Sequence, residues 1–325
     1  MSLHLTSQQV KDTADAPQRQ SAMAREARVN DGIGELLRWM KDMLRNGIIH
    51  LPEKNQAYWE NTIRRLIDAQ APGLAGMVRN IQDIAYFREG WQEVFLQQLL
   101  KLYIVIQGYQ HLEALPAPLQ QDVRQLCGFT VNQEQLKSFQ GITDTWMVLG
   151  KQASEQDKLV TERYWLYGVN SGRSALILQF YARHFSGAGF SLQPGTAVHG
   201  ELVYFPSAQP LRALLKTCQL THTPLRFRGM ESWEEVLEHQ SMLCSQLPVY
   251  PEQLYTIASL QLVQYRQQWY LMDRQRRLMA VKPGAPKLWK LLAITGGQAM
   301  PMAVVGAGRD YEPIGVWPDA HYQAL

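Results

Sequence analysis

The residues best suited by type to hold a metal are Cys218, His222, His239 and Cys244, a C-x3-H followed by an H-x4-C. Two thiolates and two imidazoles make a tetrahedral zinc donor set. His239 and Cys244, however, stand five apart on an expected helix, a poor facing pair, and Cys218 extends from an expected strand. Buried cysteines and surface histidines explain the four equally well, so neither metal nor other cofactor is expected in this chain.

A second constellation is the basic run Arg274, Arg276, Arg277, Lys282, Lys287 and Lys290. Six cations over so short a stretch can attract phosphates or an acidic partner surface. Strand edges and hairpin tips also carry Lys and Arg simply to stay soluble and unpaired, and no stacking aromatics interleave at the spacing of a recognised module. The run is therefore the candidate surface for nucleic acid or a partner, with solubility as the plainer reading.

Acid–base chemistry needs carboxylates held together in a cleft. Glu162 and Glu201 sit within strand-like runs, but beside Arg163 and Tyr204 they read as residues on the wet face of a sheet. Ser171 and Ser174 flank Gly172 without forming a G-x-S-x-G elbow, and neither Gly187-Ala188-Gly189 nor Gly306-Ala307-Gly308 completes a dinucleotide loop. No phosphate-binding G-x-x-x-x-G-K-[ST] occurs. No catalytic residue is assigned, and the protein is read as a non-enzyme, with an enzyme of unknown reaction, its site assembled from distant residues, as the last alternative.

The elements that must position these residues change character along the chain. Residues 1–23 are polar and read as a disordered tail or linker. A first helix is expected from Asn30-Asp31 to Asn46-Gly47, a second around Trp59, Ile63 and Leu66, and a third from Pro72. A fourth runs from about Gly90 to Leu112, apolar over much of its circumference and so expected at the centre of the lobe. A fifth follows Pro116 and ends at Cys127-Gly128; Asn132 caps a short sixth.

Strand patterning begins at Trp146–Gly150 and continues, after a polar turn through Ser154–Asp157, into a hairpin. Its arms are Leu159–Gly168 and Ala175–Tyr181, joined by Asn170-Ser171-Gly172-Arg173. Further strands are expected at 196–205, 211–217, 254–265, 268–272 and 278–281, with one helix, Trp233–Leu247, after Ser232. The apolar runs 288–294 and 302–305 read as strands. The fold class is α+β, a helical lobe over 24–143 followed by an antiparallel β-rich lobe over 144–325 with one inserted helix.

Composition bounds the rest. The chain has 325 residues, 46% of them apolar and 19% charged, enough to bury cores without disulfide or metal staples. Its net charge of +3 is too small to imply a polyanionic partner by itself. Cys127, Cys218 and Cys244 are too few for a disulfide framework, which fits a reducing, cytoplasmic setting, and no stretch has the length of a signal or membrane segment. Trp146, Trp165, Trp233, Trp269, Trp289 and Trp317 enrich the second half in large aromatics, suited to core packing and to anchoring a partner.

Five pieces together resemble bacterial SWIM zinc-finger family proteins: Ala24–Arg28, Glu35–Asp42, the junction Asp68–Ala75, Trp146–Gly150 and Trp165–Gly168. The resemblance covers about residues 24–325. In that family the finger reads C-x-C then C-x-H and lies upstream of the matched region; this chain contains neither pattern, so no zinc ligand carries over. The chain reads as the region C-terminal to such a finger, as from a truncated or split gene. The resemblance implies a binding or adaptor body, with MoxR-type AAA ATPases and von Willebrand factor A proteins as partners. SWIM fingers are themselves proposed to bind DNA or protein.

Overall fold

A computed structural model describes residues 7–156, 159–182, 190–221, 229–284 and 287–325, with side chains from residue 20 onward except at 320. Two units divide between Thr130 and Val131. The short helix at Asn132 therefore heads the second unit, whereas the sequence places the boundary at 143/144.

The first unit is helical. Helices α1 (Ser7–Arg45), α2 (Gln56–Asp68), α3 (Pro72–Gln82), α4 (Trp91–Gln110) and α5 (Ala117–Cys127) follow one another, with a 3-10 turn at Ile48–Glu53. Their ends follow local chemistry. Asn55 caps α2 by accepting from the Tyr58 N–H at 3.0 Å, Pro72 opens α3, and Gly128 closes α5 at φ 110.

Two expectations fail in α1. Residues 7–23 are helix rather than a tail, and Asn30-Asp31 lies inside the helix instead of capping it. Extending a packed helix needs no new nucleus, so good helix formers such as Ala22, Met23 and Ala24 continue it without burial of their own. A third expectation is half right: α4 buries Phe95, Leu99, Leu102 and Ile106 but leaves its opposite side exposed.

The second unit begins with α6 (Gln133–Lys137), capped by Asn132. A six-stranded antiparallel sheet follows: β1 (Ile142–Gln156), β2 (Leu159–Gly168), β3 (Ser174–Ala182), β4 (Ala197–Tyr204), β5 (Ala213–Leu215) and β6 (Gln219–Thr221). Its order is β3-β2-β1-β4-β5, with β6 also on β4. The expected hairpin forms as β2–β3, with Trp165 opposite Leu176. Ser154, Glu155 and Gln156 are ladder residues rather than a turn, because β1 and β2 stay paired to Gln156 and Leu159. Gly187-Ala188-Gly189 lies outside the described residues.

Helix α7 (Trp233–Gln246) leads to β7 (Gln253–Tyr265), β8 (Gln268–Asp273), β9 (Leu278–Val281), α8 (Leu288–Thr295), β10 (Met300–Ala307), β11 (Asp310–Val316) and a short β12 (Gln323–Ala324). The run 288–294 is thus a helix, a second insertion. Leu288, Leu291, Leu292 and Thr295 recur at three- and four-residue steps, and a short apolar run conceals that period. The turn expected around Gly306-Ala307-Gly308 joins β10 to β11, with Gly308 at φ 64.

These strands close on themselves. The order is β10-β7-β8-β9-β11, and β11 pairs back to β10. Every pairing in the ring is antiparallel except β9 with β11. A five-stranded barrel with this order and a helix between its third and fourth strands is the oligonucleotide/oligosaccharide-binding, or OB, topology.

Alternation along the strands separates two cores. Ile257, Leu260, Leu262, Leu271, Met302 and Val304 fill the barrel, joined by Trp233 of α7 and Leu291 of α8. On its outside, Leu254, Ala303, Val305 and Ile314 pack against Met147, Leu149, Trp165 and Leu176 of the sheet. Gln152 ties the two by donating to Glu312 at 2.6 Å while accepting from the Trp165 indole at 2.8 Å.

Candidate functional site

Of the four sulfur and nitrogen candidates, the three that lie among the described residues form no metal-binding cluster. Cys218 and Cys244 are exposed and unpaired, and His222 lies outside the described residues. His239, on α7, is half-buried with its ring edge-on to Tyr255 at 5.8 Å and Nδ1 3.4 Å from the Tyr255 hydroxyl. Burial lowers its pKa, which keeps the imidazole neutral near pH 7. Among the described residues no three metal-ligating side chains come together.

The basic run, contiguous in sequence, is dispersed in space. Arg277 pairs with Glu234 at 2.8 Å and Arg274 approaches Glu231 at 3.8 Å, both beside the start of α7. Lys282 pairs with Glu252 at 2.6 Å, and Lys290 donates to the Ala324 carbonyl at 2.9 Å. Lys287 is half-buried, and desolvation lowers its pKa. Arg276 is exposed, at φ 62 in the β8–β9 turn, with no ion-pair partner among the described residues.

The strand carboxylates are engaged in the sheet. Lys151 meets Glu162 at 2.6 Å and the Tyr181 hydroxyl donates to it at 2.8 Å; burial raises the Glu162 pKa, but these bonds and one from Tyr164 outweigh it and hold it low. Glu201 accepts from Lys216 at 2.8 Å and from the Gly141 N–H at 2.7 Å.

Sequence reasoning missed the carboxylate that organises the hairpin. Asp144 is 2% exposed and accepts from Thr145 N at 2.6 Å, Ser171 N at 2.8 Å and Asn170 Nδ2 at 2.8 Å. Burial raises its pKa, but these bonds prevail and leave it below the ordinary 3.8. An acid inside an apolar strand run, with Asn-Ser-Gly downstream, was the available signal.

A cleft of about 550 Å³ opens between the hairpin turn, α7 and the start of β7. Arg173, Gln209, His239, Gln253 and Tyr255 line it, together with apolar residues such as Met230. Its lining supplies a guanidinium, an imidazole and amides, and no carboxylate or thiol among the described residues. Such a set is equipped to hold a polar ligand rather than to exchange protons through paired acids.

In the first unit the sequence fragments at 24–28 and 68–75 meet. Arg25 donates to the Gly128 carbonyl at 2.9 Å and Arg28 to the Gln70 side chain at 3.1 Å. Arg25 and Arg124 each lie over the Phe129 ring, at 4.4 and 4.3 Å, and Arg124 pairs with Glu26 at 2.7 Å. Gly73 lets α3 start against the end of α5: a Cβ there would stand 2.1 Å from the Leu126 carbonyl oxygen. These motifs build the helix junction.

Residues 24–127 match the family of SWIM-associated four-helix bundle domains. No curated protein and no solved structure matches the chain. Within this bundle the outer side of α4 carries an exposed apolar stripe. Leu96, Leu100, Tyr103 and Ile104 are 49, 57, 45 and 37% exposed. At 3.6 residues per turn they fall on one face, roughly a third of a turn round the helix from Phe95, Leu99, Leu102 and Ile106. Apolarity all round α4 led the sequence reading to a central position; in fact the helix carries two apolar stripes, one of them facing out.

Proposed function

We propose that the protein is a non-catalytic binding or adaptor body whose SWIM-associated bundle docks a protein partner along α4. The carrying observation is the exposed stripe Leu96, Leu100, Tyr103. Its steps of four and three residues are those by which one helix seats another, so the partner segment is an amphipathic helix. The partner class is the one the family resemblance suggests, a MoxR-type AAA ATPase or a von Willebrand factor A protein. The finer assignment is a bacterial, YehQ-like SWIM zinc-finger family member. A cytoplasmic setting suits three cysteines that are all unpaired. No helix among the described residues is long and apolar enough to cross a membrane.

The test uses purified components. The tagged chain, treated with nuclease, is titrated with a MoxR-type AAA ATPase and with a von Willebrand factor A protein. Saturable binding is expected, weakened at least about tenfold by Leu100→Asp, since interface energy concentrates in central apolar anchors. Leu100 is exposed, so the thermal midpoint of the variant stays within about 2 °C of the parent. Equal binding by parent and variant, or none by either protein, sinks the proposal.

A further inference from the structure

Fold topology does not assign a ligand; the surface chemistry of the barrel has to. Much of that surface is occupied. Sheet β1–β6 covers the outside of β10, β11 and the first half of β7 through Leu254, Ala303, Val305 and Ile314. Helix α7 closes the end at the β8–β9 and β10–β11 turns: Trp233 donates to the Leu271 carbonyl and to Asp273, and Gln240 to the Tyr311 hydroxyl. Helix α8 lies toward the other end, with Trp289 edge-on to Trp269 at 6.2 Å.

Among the described residues, what remains open is the outer face of the second half of β7, β8 and β9. Leu262, Leu271 and Met279 point into the barrel, so their neighbours Val263, Tyr270 and Ala280 point outward and stand in one cross-strand row. The next row holds Gln261, Met272 and Leu278, the last 45% exposed. Tyr270 is half-buried, and its hydroxyl has no hydrogen-bond partner among the described residues.

Three arginines rim this face. Arg266 sits in the tight β7–β8 turn, 5.2 Å from the Tyr265 ring, and Arg276 in the β8–β9 turn. Arg309 sits in the β10–β11 turn, its carbonyl accepting from Ala280 N at 2.9 Å. None of the three has an ion-pair partner among the described residues, in contrast to Arg274 and Arg277. Asp310, paired across the ladder with Ala280, is the exposed carboxylate at that edge.

We infer that this face binds single-stranded nucleic acid, with phosphates held at Arg266, Arg276 and Arg309 and a base laid on Tyr270. Cations without partners around an aromatic and apolar centre complement a polyanion that also offers flat apolar rings. A three-stranded face spans about 10 Å between its outer strands, room for a few nucleotides. A duplex hides its bases and loses the stacking half of the interaction. This site is independent of α4 and stands whether or not the adaptor reading does.

The experiment is fluorescence anisotropy of labelled dT12, with a 12-base-pair duplex, heparin and a neutral glucan hexasaccharide as competitors of the full chain. The single strand is expected to bind at 50 mM salt, with a slope of about −2 in log affinity against log salt for three phosphates. Tyr270→Ala weakens binding about tenfold or more, while Tyr270→Phe, which keeps the ring, does not. The combined Arg266→Gln, Arg276→Gln and Arg309→Gln variant flattens the salt slope, Asp310→Asn strengthens binding, and Leu100→Asp changes nothing. The inference is overturned by no binding at 50 mM salt or by displacement with the glucan. It is overturned equally by duplex and heparin competing as well as dT12 while Tyr270→Ala and the triple variant bind like the parent.

Discussion

Gly73→Ala is expected to destabilise the helical unit by about 3 kcal/mol, the upper range for overpacking. The reason is the neighbour the new methyl would meet. Its Cβ would lie 2.1 Å from the Leu126 carbonyl oxygen and 2.8 Å from the Gly128 nitrogen, both backbone atoms with no rotamer to yield. Relief requires α3 and α5 to part. That movement would strain the Arg25 bond to the Gly128 carbonyl and draw the Phe129 ring away from Arg25 and Arg124. Gly76→Ala is the control, since that helical position has open space beyond its Cα. It should be neutral or slightly stabilising. Urea titrations followed by far-ultraviolet circular dichroism read both variants; a loss below about 1 kcal/mol for Gly73→Ala would show that the junction can spread.

Asp144→Ala should cost the second unit about 3 kcal/mol, because it strands buried N–H groups that a charged acceptor now satisfies. Thr145 N, Asn170 N and Ser171 N all lose their partner, and with them goes the anchor of the β2–β3 turn. Asp144→Asn keeps one acceptor oxygen and should fall between. The same carboxylate gives acid sensitivity a definite sign. Its folded pKa lies below the ordinary 3.8. Its contribution is therefore complete above that value and is lost as pH falls through the folded pKa. Glu162, held low by Lys151, Tyr164 and Tyr181 against burial, adds to the loss in the same direction. Stability measured from pH 6 downward should decline more shallowly in Asp144→Asn than in the parent; parallel curves would remove Asp144 from the explanation.

Legibility followed the range of the interactions involved. Pro72, Asn132 and Gly128 act within a turn of their own position, and such elements stand where the sequence puts them. The β2–β3 hairpin likewise carries its own turn. Barrel closure does not: β9 meets β11 in parallel through Ala280 and Asp310, a pairing made by folding around α8 rather than by any local signal. The helix at 288–295 was hidden because a short apolar run looks alike in both periods. The basic run misled for the opposite reason. Its six members are close in sequence, yet they end on a turn, at a helix start and near the C-terminal strand, four of them with partners. Arg266 and Arg309, which complete the rim with Arg276, lay outside that run and were not singled out.

Strand β10 has no solvent side: Met302 and Val304 point into the barrel, while Ala303 and Val305 point into the sheet interface. Its amide protons can reach water only when both cores open together. They should therefore exchange at the global unfolding rate, and sheet and barrel should behave as one cooperative foldon instead of two subdomains. Occupancy of the β8 face would then be felt as slowed exchange in β1 and β2, on the far side of a strand that no ligand touches.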